Sequence, residues 1–320
     1  MAVNVAIGVQ DFSTIIENQY FYVDKTAFLK EWWDSGDSVT LITRPRRFGK
    51  TLTMSMTEQF FSLDYADRSD LFANLEIWKD EKYRKLQGTY PVISLSFARI
   101  KERDYEKTKQ KMCEILRNIY IKFSYVKNYK KMTEADRAYY DRMMSDNIRE
   151  TDATSSLYQL SDFLYRYYGK KVIILLDEYD TPMQEAFVDG YWDELVSFTR
   201  SLFNSTFKTN PALERGIMTG ITRVSKESIF SDLNNLKVVT TSDEYATTFG
   251  FTEPEVFEAL EKCGLGGEKK EVKRWYDGFI FGTHKDIYNP WSILNYLDSQ
   301  QYTTYWANTS ANSLVGKLVR

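Results

Sequence analysis

The stretch VTLITRPRRFGKT, residues 39–51, decides how the rest of this chain is interpreted. Its first five residues are β-branched or leucine, which predicts a short strand, and a basic turn follows that ends in Gly49-Lys50-Thr51. Where such a turn opens a helix, unpaired backbone N–H groups and the helix dipole point at one place, where a phosphate can bind. We therefore expect Lys50 to neutralise nucleotide phosphates and the Thr51 hydroxyl to ligate Mg²⁺.

This basic turn departs from the full phosphate-loop pattern, GxxxxGK(S/T). The pattern has glycine six residues before the lysine, where this chain has Arg44, followed by Pro45. A basic surface turn before a helix is therefore the alternative interpretation. If the turn does bind a nucleotide, nine consecutive residues form the binding segment: Arg44, Pro45, Arg46, Arg47, Phe48, Gly49, Lys50, Thr51 and Leu52.

A second stretch, KKVIILLDEYD at residues 170–180, supplies acidic residues. Its consecutive apolar residues predict a strand buried on both faces that ends at Asp177 and Glu178, and open α/β sheets bind ligands at such strand ends. In a nucleotide hydrolase the first acid holds Mg²⁺ and the second activates the attacking water. The alternative is a core strand followed by a solvated acidic turn, and the upstream Gly49-Lys50-Thr51 favours the hydrolase.

A third buried strand, ERGIMTGIT, is predicted at residues 214–222. Thr219 at its end could sense the γ-phosphate, and Arg223 could neutralise charge in the transition state. Hydroxyl groups that merely cap a strand end are the alternative. With further strands at residues 90–97 and 237–241, we predict an α/β fold of the P-loop NTPase type, with a mostly parallel sheet in the additional-strand order 5-1-4-3-2.

We predict two domains. Residues 1–245 form the P-loop ATPase core, with a short strand at 20–26 and a helical insertion at about 101–154, and residues 246–320 form a small helical or winged-helix-like lid. Charges of alternating sign in residues 127–154 favour a solvated insertion over a binding patch. A further helix is predicted at 155–168, with Ser155 or Ser156 as its N-cap.

Composition excludes several classes of protein. The chain has 320 residues, 43% of them hydrophobic, and a net charge of −3, so it has no global basic field for nucleic acid. Its single histidine, His284, excludes a histidine-based metal site or triad, and its two cysteines form no metal pattern. No secretory leader or long apolar run appears, so we expect a cytoplasmic protein without a membrane partner.

Several phrases together resemble the bacterial AAA-ATPase-like family over nearly the whole chain: YVDKT (22–26), RPRRFGKT (44–51), ILLDEYD (174–180), TGITRVSKESIFSDLNNL (219–236), FGFTEPEV (249–256), WYDGFIFG (275–282) and IYNPWSIL (287–294). That family characteristically carries the RPRRFGK version of the phosphate loop. The resemblance implies that Asp177 is the metal-side acid, Glu178 the water-side acid and 219–223 the sensor strand. Members often continue into a PD-(D/E)XK nuclease-like domain, and we expect this chain to end before one, within a helix at 313–319.

The predicted function is Mg²⁺-dependent ATP binding and hydrolysis that drives a conformational change. The catalytic residues would be Glu178, Lys50, Thr219 and Arg223, and the metal ligands Thr51 and Asp177. Arg46 or Arg47 could contact the γ-phosphate or a neighbouring subunit. Two alternatives stay open: a nonhydrolysing ATP switch or scaffold, and the regulatory ATPase part of a DNA-processing nuclease. The expected partner is ATP, with a homo-oligomer and DNA left open.

Overall fold

The computed structural model describes residues 4–221, 229–240 and 242–306 of the chain. The chain divides into two compact units that each combine separate segments. In their described parts, the first unit contains residues 4–36, 44–89, 239–240 and 242–306, and the second contains 37–43, 90–221 and 229–238. The predicted division into domains at residue 245 stays a prediction.

A five-stranded sheet runs through the second unit. The strand order is β2-β3-β4-β1-β5, and the pairs β2–β3, β3–β4 and β4–β1 are parallel. Read from the opposite edge, this is the predicted order 5-1-4-3-2, which is therefore confirmed together with the α/β class. The strands are β1 (Val39–Thr43), β2 (Val92–Ser96), β3 (Val172–Asp177), β4 (Leu213–Gly220) and β5 (Leu236–Val239).

Apolar runs explain why the central strands form. All six residues of β3 and all five of β1 are buried, as expected for strands covered on both faces. The helices that contribute to the core of this unit are α5 (Tyr105–Lys122), α6 (Glu134–Met144), α7 (Glu150–Tyr168), α8 (Thr181–Asp189) and α9 (Trp192–Phe207). Among them, α7 packs against α9.

The predicted start of the helix at 155–168 is wrong. Helix α7 begins at Glu150, so Ser155 and Ser156 lie inside it and cap nothing. Their hydroxyl groups donate instead to main-chain carbonyls of the preceding turn, at Thr151 and Ala153. A serine can satisfy its hydroxyl in this way within a helix, so the residue type alone does not mark a helix start. The predicted end of the helix at residue 168 is confirmed, and Gly169 follows as the C-cap with φ at 68°.

The first unit contains helices and a small antiparallel sheet of order β6-β8-β7. Its helices are α1 (Phe12–Glu17), α2 (Ala27–Ser35), α3 (Lys50–Phe61), α4 (Glu81–Arg84), α10 (Glu253–Lys262), α11 (Lys269–Tyr276) and α12 (Pro290–Ser299). Its strands are β6 (Phe251–Thr252), β7 (Phe279–Phe281) and β8 (His284–Tyr288). β7 and β8 pair antiparallel as a hairpin, and Trp275 and Tyr276 end α11 just before it.

The predicted strand at residues 20–26 is wrong. Polar side chains in this segment hold main-chain groups of a 3₁₀ helix (Glu76–Lys79): Asp24 accepts from the Glu76 N–H at 2.7 Å and Thr26 from the Ile77 N–H at 3.1 Å. Lys25 forms a 2.7 Å ion pair with Glu255 of α10. The aromatic residues favoured a strand, but these side-chain bonds replace a sheet ladder.

In residues 4–221, 229–240 and 242–306, no helix combines the length and the apolar character needed to cross a membrane.

Candidate functional site

The basic turn, residues 44–51, connects β1 to α3 through a left-handed glycine. Gly49 is the N-cap of α3 with φ at 83°, a conformation that costs other residue types about 1–2 kcal/mol. A Cβ on Gly49 would meet no atom within 4 Å, so backbone conformation rather than crowding favours glycine here. Lys50 and Thr51 are consequently the first two residues of a twelve-residue helix.

Lys50 closes the basic turn upon itself. Its side chain is buried, and its ammonium group donates hydrogen bonds to the carbonyl oxygens of Arg44 at 2.9 Å and Pro45 at 3.0 Å. Carbonyl groups are neutral acceptors, so these two bonds fix the position of the ammonium without cancelling its charge. The predicted phosphate lysine is thus held at the start of α3, inside the turn.

Arg44, which stands where the usual pattern has glycine, has a buried side chain that contacts other parts of its unit. It is 1% exposed, and its guanidinium donates to the main-chain carbonyl of Thr240 and stacks 4.5 Å from the centre of the Phe281 ring. Burial lowers the pKa of Arg44 to about 10, so the group stays charged at neutral pH. The side chain therefore fastens the turn to residues 240 and 281 of the same unit.

Two further residues tie the basic turn to the C-terminal part of the first unit. The Arg46 carbonyl accepts hydrogen bonds from Asn289 Nδ2 at 3.3 Å and from Trp306 Nε1 at 3.0 Å. Phe48 is buried edge-to-face against Phe279, with ring centres 4.8 Å apart. In the sequence, Asn289 and Pro290 mark the start of α12. That pattern did not predict the hydrogen bond from Asn289 to the Arg46 carbonyl.

The side chains of Arg46 and Arg47 remain at the surface of the turn. Arg46 is half-buried and Arg47 is exposed, with its guanidinium 4.1 Å from the Trp291 ring centre. Arg47 also has φ at 68°, an uncommon value for a residue with a side chain. Of the arginines in the turn, these two are the ones whose side chains reach solvent.

The acidic turn, residues 177–180, begins where β3 ends. Thr219 Oγ1, at the end of the neighbouring β4, donates a hydrogen bond to Asp177 Oδ1, and the Glu178 N–H lies 3.4 Å from the same hydroxyl oxygen. The Tyr179 N–H donates to the Thr219 carbonyl at 3.0 Å. The structure thus brings together three residues that the sequence placed at separate strand ends, namely Asp177, Glu178 and Thr219.

The sheet register places the end of β1 at the same edge. Thr43, the last residue of β1, pairs with Gly220 of β4, and Leu176 of β3 pairs with Met218. Because the three strands are parallel, β1 and β3 reach their carboxyl ends on either side of the end of β4. β1 therefore ends at the edge of the sheet where Asp177 lies, which is the edge that binds ligands in open α/β sheets.

Glu178 adopts a strained backbone conformation at this edge. Its φ is 51°, and its Oε2 accepts a hydrogen bond from the Thr181 hydroxyl at 3.1 Å. A left-handed glutamate costs about 1–2 kcal/mol, and such strain concentrates at functional positions. The bond from Thr181 orients a half-buried carboxylate that solvent still reaches.

Asp180 is a residue that the sequence analysis missed. It is buried, and its Oδ2 accepts hydrogen bonds from the Ile221 N–H and from Gln184 Nε2, both at 3.0 Å. A Cβ on Gly220 would lie 2.6 Å from Asp180 Oδ1, so only glycine fits at the end of β4. Asp180 thus connects the acidic turn to Ile221, the residue that follows β4.

Comparison with known proteins gives a family. Residues 6–230 match the family model described as "Predicted AAA-ATPase". This chain belongs to that AAA-ATPase-like family.

The AAA-ATPase-like chain also resembles an uncharacterized protein in the vnfD 5′ region of Azotobacter chroococcum mcd 1. The two are 26% identical over 319 residues, which is 98% of this chain and 55% of that protein. The chain therefore spans about half the length of this curated relative. No solved structure matches the chain significantly.

Two side chains of this AAA-ATPase-like protein have the chemistry of magnesium ligands. Mg²⁺ prefers oxygen ligands and takes few from the protein, and the Thr51 hydroxyl and the Asp177 carboxylate are of that kind. Within the described ranges, no group of three or more histidine, cysteine or acidic residues is placed to hold a metal alone. Arg223, Thr222 and the helix expected at 313–319 lie outside the described residues.

Proposed function

We propose that this AAA-ATPase-like chain binds ATP with Mg²⁺ and hydrolyses it. The observation that carries the proposal is the carboxyl edge of the sheet, where β1 leads into Gly49-Lys50 and β3 ends at an aspartate held by Thr219. Strand ends of this kind bind nucleotide phosphates in open α/β sheets. Membership of the family supports the same class of reaction.

Each residue has a proposed role in that reaction. The Lys50 ammonium neutralises the β- and γ-phosphates, and the N–H groups at the start of α3 donate hydrogen bonds to the phosphate oxygens. Thr51 and Asp177 would hold Mg²⁺, which supplies charge neutralisation of the phosphates. Glu178 accepts the proton of the attacking water, and Thr219 orients Asp177 and senses the γ-phosphate.

The geometry refines the expected nucleotide segment. Arg44 and Phe48 are buried supports of the basic turn, so we assign phosphate contact to the backbone of the turn and to Lys50 rather than to those two side chains. The exposed guanidinium of Arg47 and the half-buried Arg46 are available to the γ-phosphate or to a neighbouring subunit. Arg223 keeps its proposed role in neutralising transition-state charge.

The test measures ATP binding and turnover by the purified chain and by single variants. Lys50→Ala is expected to lose most of its ATP affinity, because a charge-assisted contact to phosphate is removed. Glu178→Gln is expected to retain binding while turnover falls about 100-fold or more, as for loss of a general base. Chelation of Mg²⁺ by EDTA should abolish turnover, and added Mg²⁺ should restore it.

Glu185→Gln is the matched control, since this half-buried glutamate lies one helical turn beyond the acidic turn. It should hydrolyse ATP at the wild-type rate. Undiminished turnover by Glu178→Gln would remove Glu178 from the mechanism. Failure of the wild-type chain to bind ATP would contradict the proposal as a whole.

A nonhydrolysing switch is a second candidate that one observation favours. The basic turn is fastened through the Arg46 carbonyl to Asn289 and Trp306, so a change in the turn would be transmitted to the C-terminal part of its own unit. Tight ATP binding by the wild-type chain without turnover, accompanied by a change in tryptophan fluorescence that Trp306→Phe removes, would select the switch over the hydrolase.

A further inference from the structure

Two segments of the second unit concentrate positive charge in a chain whose net charge is −3. They are IKFSYVKNYKK at residues 121–131 and YRYYGKK at 165–171. Neither contains an aspartate or a glutamate, and tyrosines alternate with the basic residues. The basic residues are Lys122, Lys127, Lys130, Lys131, Arg166, Lys170 and Lys171.

The fold brings the tyrosines of both segments into one cluster. The hydroxyl groups of Tyr125 and Tyr168 are 2.6 Å apart, and the Tyr167 ring centre lies 5.6 Å from that of Tyr125 and 5.1 Å from that of Tyr129. Tyr125, Tyr167 and Tyr168 remain 36–42% exposed, which is high for rings that contact one another. The 3₁₀ helix Ser124–Asn128 and the end of α7 supply these rings.

The lysines beside the cluster carry charge that the described structure does not neutralise. Lys127 pairs with Asp141, and Arg166 pairs with Asp136 and Asp162. Lys130, Lys131 and Lys171 are exposed, and no carboxylate in the described ranges pairs with their ammonium groups. We call Tyr125, Tyr129, Tyr167 and Tyr168, together with these three lysines, the tyrosine–lysine face.

We propose that the tyrosine–lysine face binds single-stranded nucleic acid. Proteins that bind single strands combine a positively charged surface for the phosphates with aromatic rings on which bases stack. This face supplies both, since its tyrosine rings are partly exposed and its three lysines pair with no carboxylate in the described ranges. A duplex keeps the faces of its bases stacked within the helix, so the exposed rings favour a single strand.

This inference revises the interpretation of residues 127–154 as a solvated insertion without a binding patch. Charges alternate in sign only after residue 131. In residues 127–131, KNYKK, all the charged residues are lysines. The sequence pattern did not reveal the face because half of it comes from the end of α7, more than thirty residues away along the chain.

The test is fluorescence anisotropy of the full chain with labelled oligodeoxythymidylate and oligouridylate at low and high salt. Lys130→Glu with Lys131→Glu should weaken binding about ten-fold or more and flatten its dependence on salt, because phosphate contacts are lost. Tyr125→Ala with Tyr167→Ala should weaken binding by about five-fold or more, whereas phenylalanine at both positions should retain it, since the rings stack without their hydroxyl groups.

The control exchanges Lys270 and Lys285 for glutamate. Both are exposed lysines of the first unit, and the exchange alters net charge by the same amount. Affinity should remain at the wild-type value in this control. The tighter of the two oligonucleotides tells whether the natural ligand is DNA or RNA.

Three results would overturn the proposal. One is no binding by the wild-type chain at low salt, and another is an equal loss in both lysine variants, which would indicate a diffuse charge effect. The third is sedimentation showing a wild-type dimer that the tyrosine variant abolishes, without oligonucleotide binding. The face would then be an interface between two copies of the chain.

Discussion

The basic turn and the tyrosine–lysine face use the same residue types in opposite ways. In the turn, Arg44 and Lys50 are at most 5% exposed and bond to main-chain carbonyls, and Phe48 is buried. On the face, Lys130, Lys131 and Lys171 are exposed beside tyrosines that solvent also reaches. The buried cations hold the backbone of the turn, and Lys50 has a proposed role in binding phosphate as well, whereas the exposed lysines of the face have only the proposed role of binding a ligand. Substitution of Arg44 should therefore lower stability, and substitution of the lysines on the face should lower binding.

The largest effect is expected at Arg44. Arg44→Ala would remove its cation–π contact and leave the half-buried Thr240 carbonyl without its charged donor. Together these losses should lower the free energy of unfolding by about 3 kcal/mol, since hydrogen bonds to charged groups contribute about 1.5–3 kcal/mol and desolvated cation–π contacts about 2 kcal/mol. Urea denaturation followed by circular dichroism measures the change.

Arg46→Ala is the matched control for Arg44→Ala. It removes the same side chain two residues later, from a half-buried position, while the main-chain carbonyl that Asn289 and Trp306 bind is kept. Its free energy of unfolding should stay within about 0.5 kcal/mol of wild type. Equal losses in the two variants would mean that burial does not distinguish the arginines of the turn.

A smaller loss is expected at Asn289, which supports the turn from α12. Its Oδ1 caps α12 by accepting the Ser292 N–H, and its Nδ2 donates to the Arg46 carbonyl. Asn289→Ala should lower the free energy of unfolding by about 2 kcal/mol, combining a lost N-cap of about 1 kcal/mol with a buried hydrogen bond of about 1 kcal/mol. Thermal or urea unfolding would show it.

Asn289→Ser separates the two contributions. Serine is a good N-cap, but its hydroxyl group is too short to reach the Arg46 carbonyl, so about half of the loss should be recovered. Full recovery would show that the bond to Arg46 contributes nothing to stability, and the proposed link between the turn and α12 would fail.

The strands of the sheet could be predicted from the sequence because the apolar pattern that marks each strand lies within that strand. Buried parallel strands appear as mostly apolar runs, and β1, β3 and β4 were all found in this way, although β1 and β4 include threonines and β4 also includes Glu214 and Arg215. The strand order followed once β1 and β3 were assigned to a nucleotide-binding fold. Asp177, Glu178 and Thr219 were found for the same reason, since each lies at a strand end that the run itself marks.

The supports of the basic turn could not be predicted, because their partners are distant in sequence. Arg44 is separated from Thr240 by 196 residues, and the Arg46 carbonyl from Trp306 by 260. Neither contact leaves a periodic pattern, so Arg44 appeared only as a departure from the glycine of the usual motif. Asp180 was missed because its bonds to Ile221 and Gln184 also depend on the folded turn.

The smallest effect on stability is expected for substitutions on the tyrosine–lysine face. Measuring it shows whether a loss of oligonucleotide binding comes from a lost contact or from unfolding. The side chains of Lys130 and Lys131 are exposed and pair with no carboxylate in the described ranges, so Lys130→Glu with Lys131→Glu should change the free energy of unfolding by less than about 0.5 kcal/mol. The Lys131 carbonyl, 3.5 Å from Arg166 Nη1, is unaffected by the exchange. If urea denaturation instead shows a loss in the free energy of unfolding as large as that of Arg44→Ala, the two lysines stabilise the fold. Weaker oligonucleotide binding would then reflect unfolding rather than a lost contact.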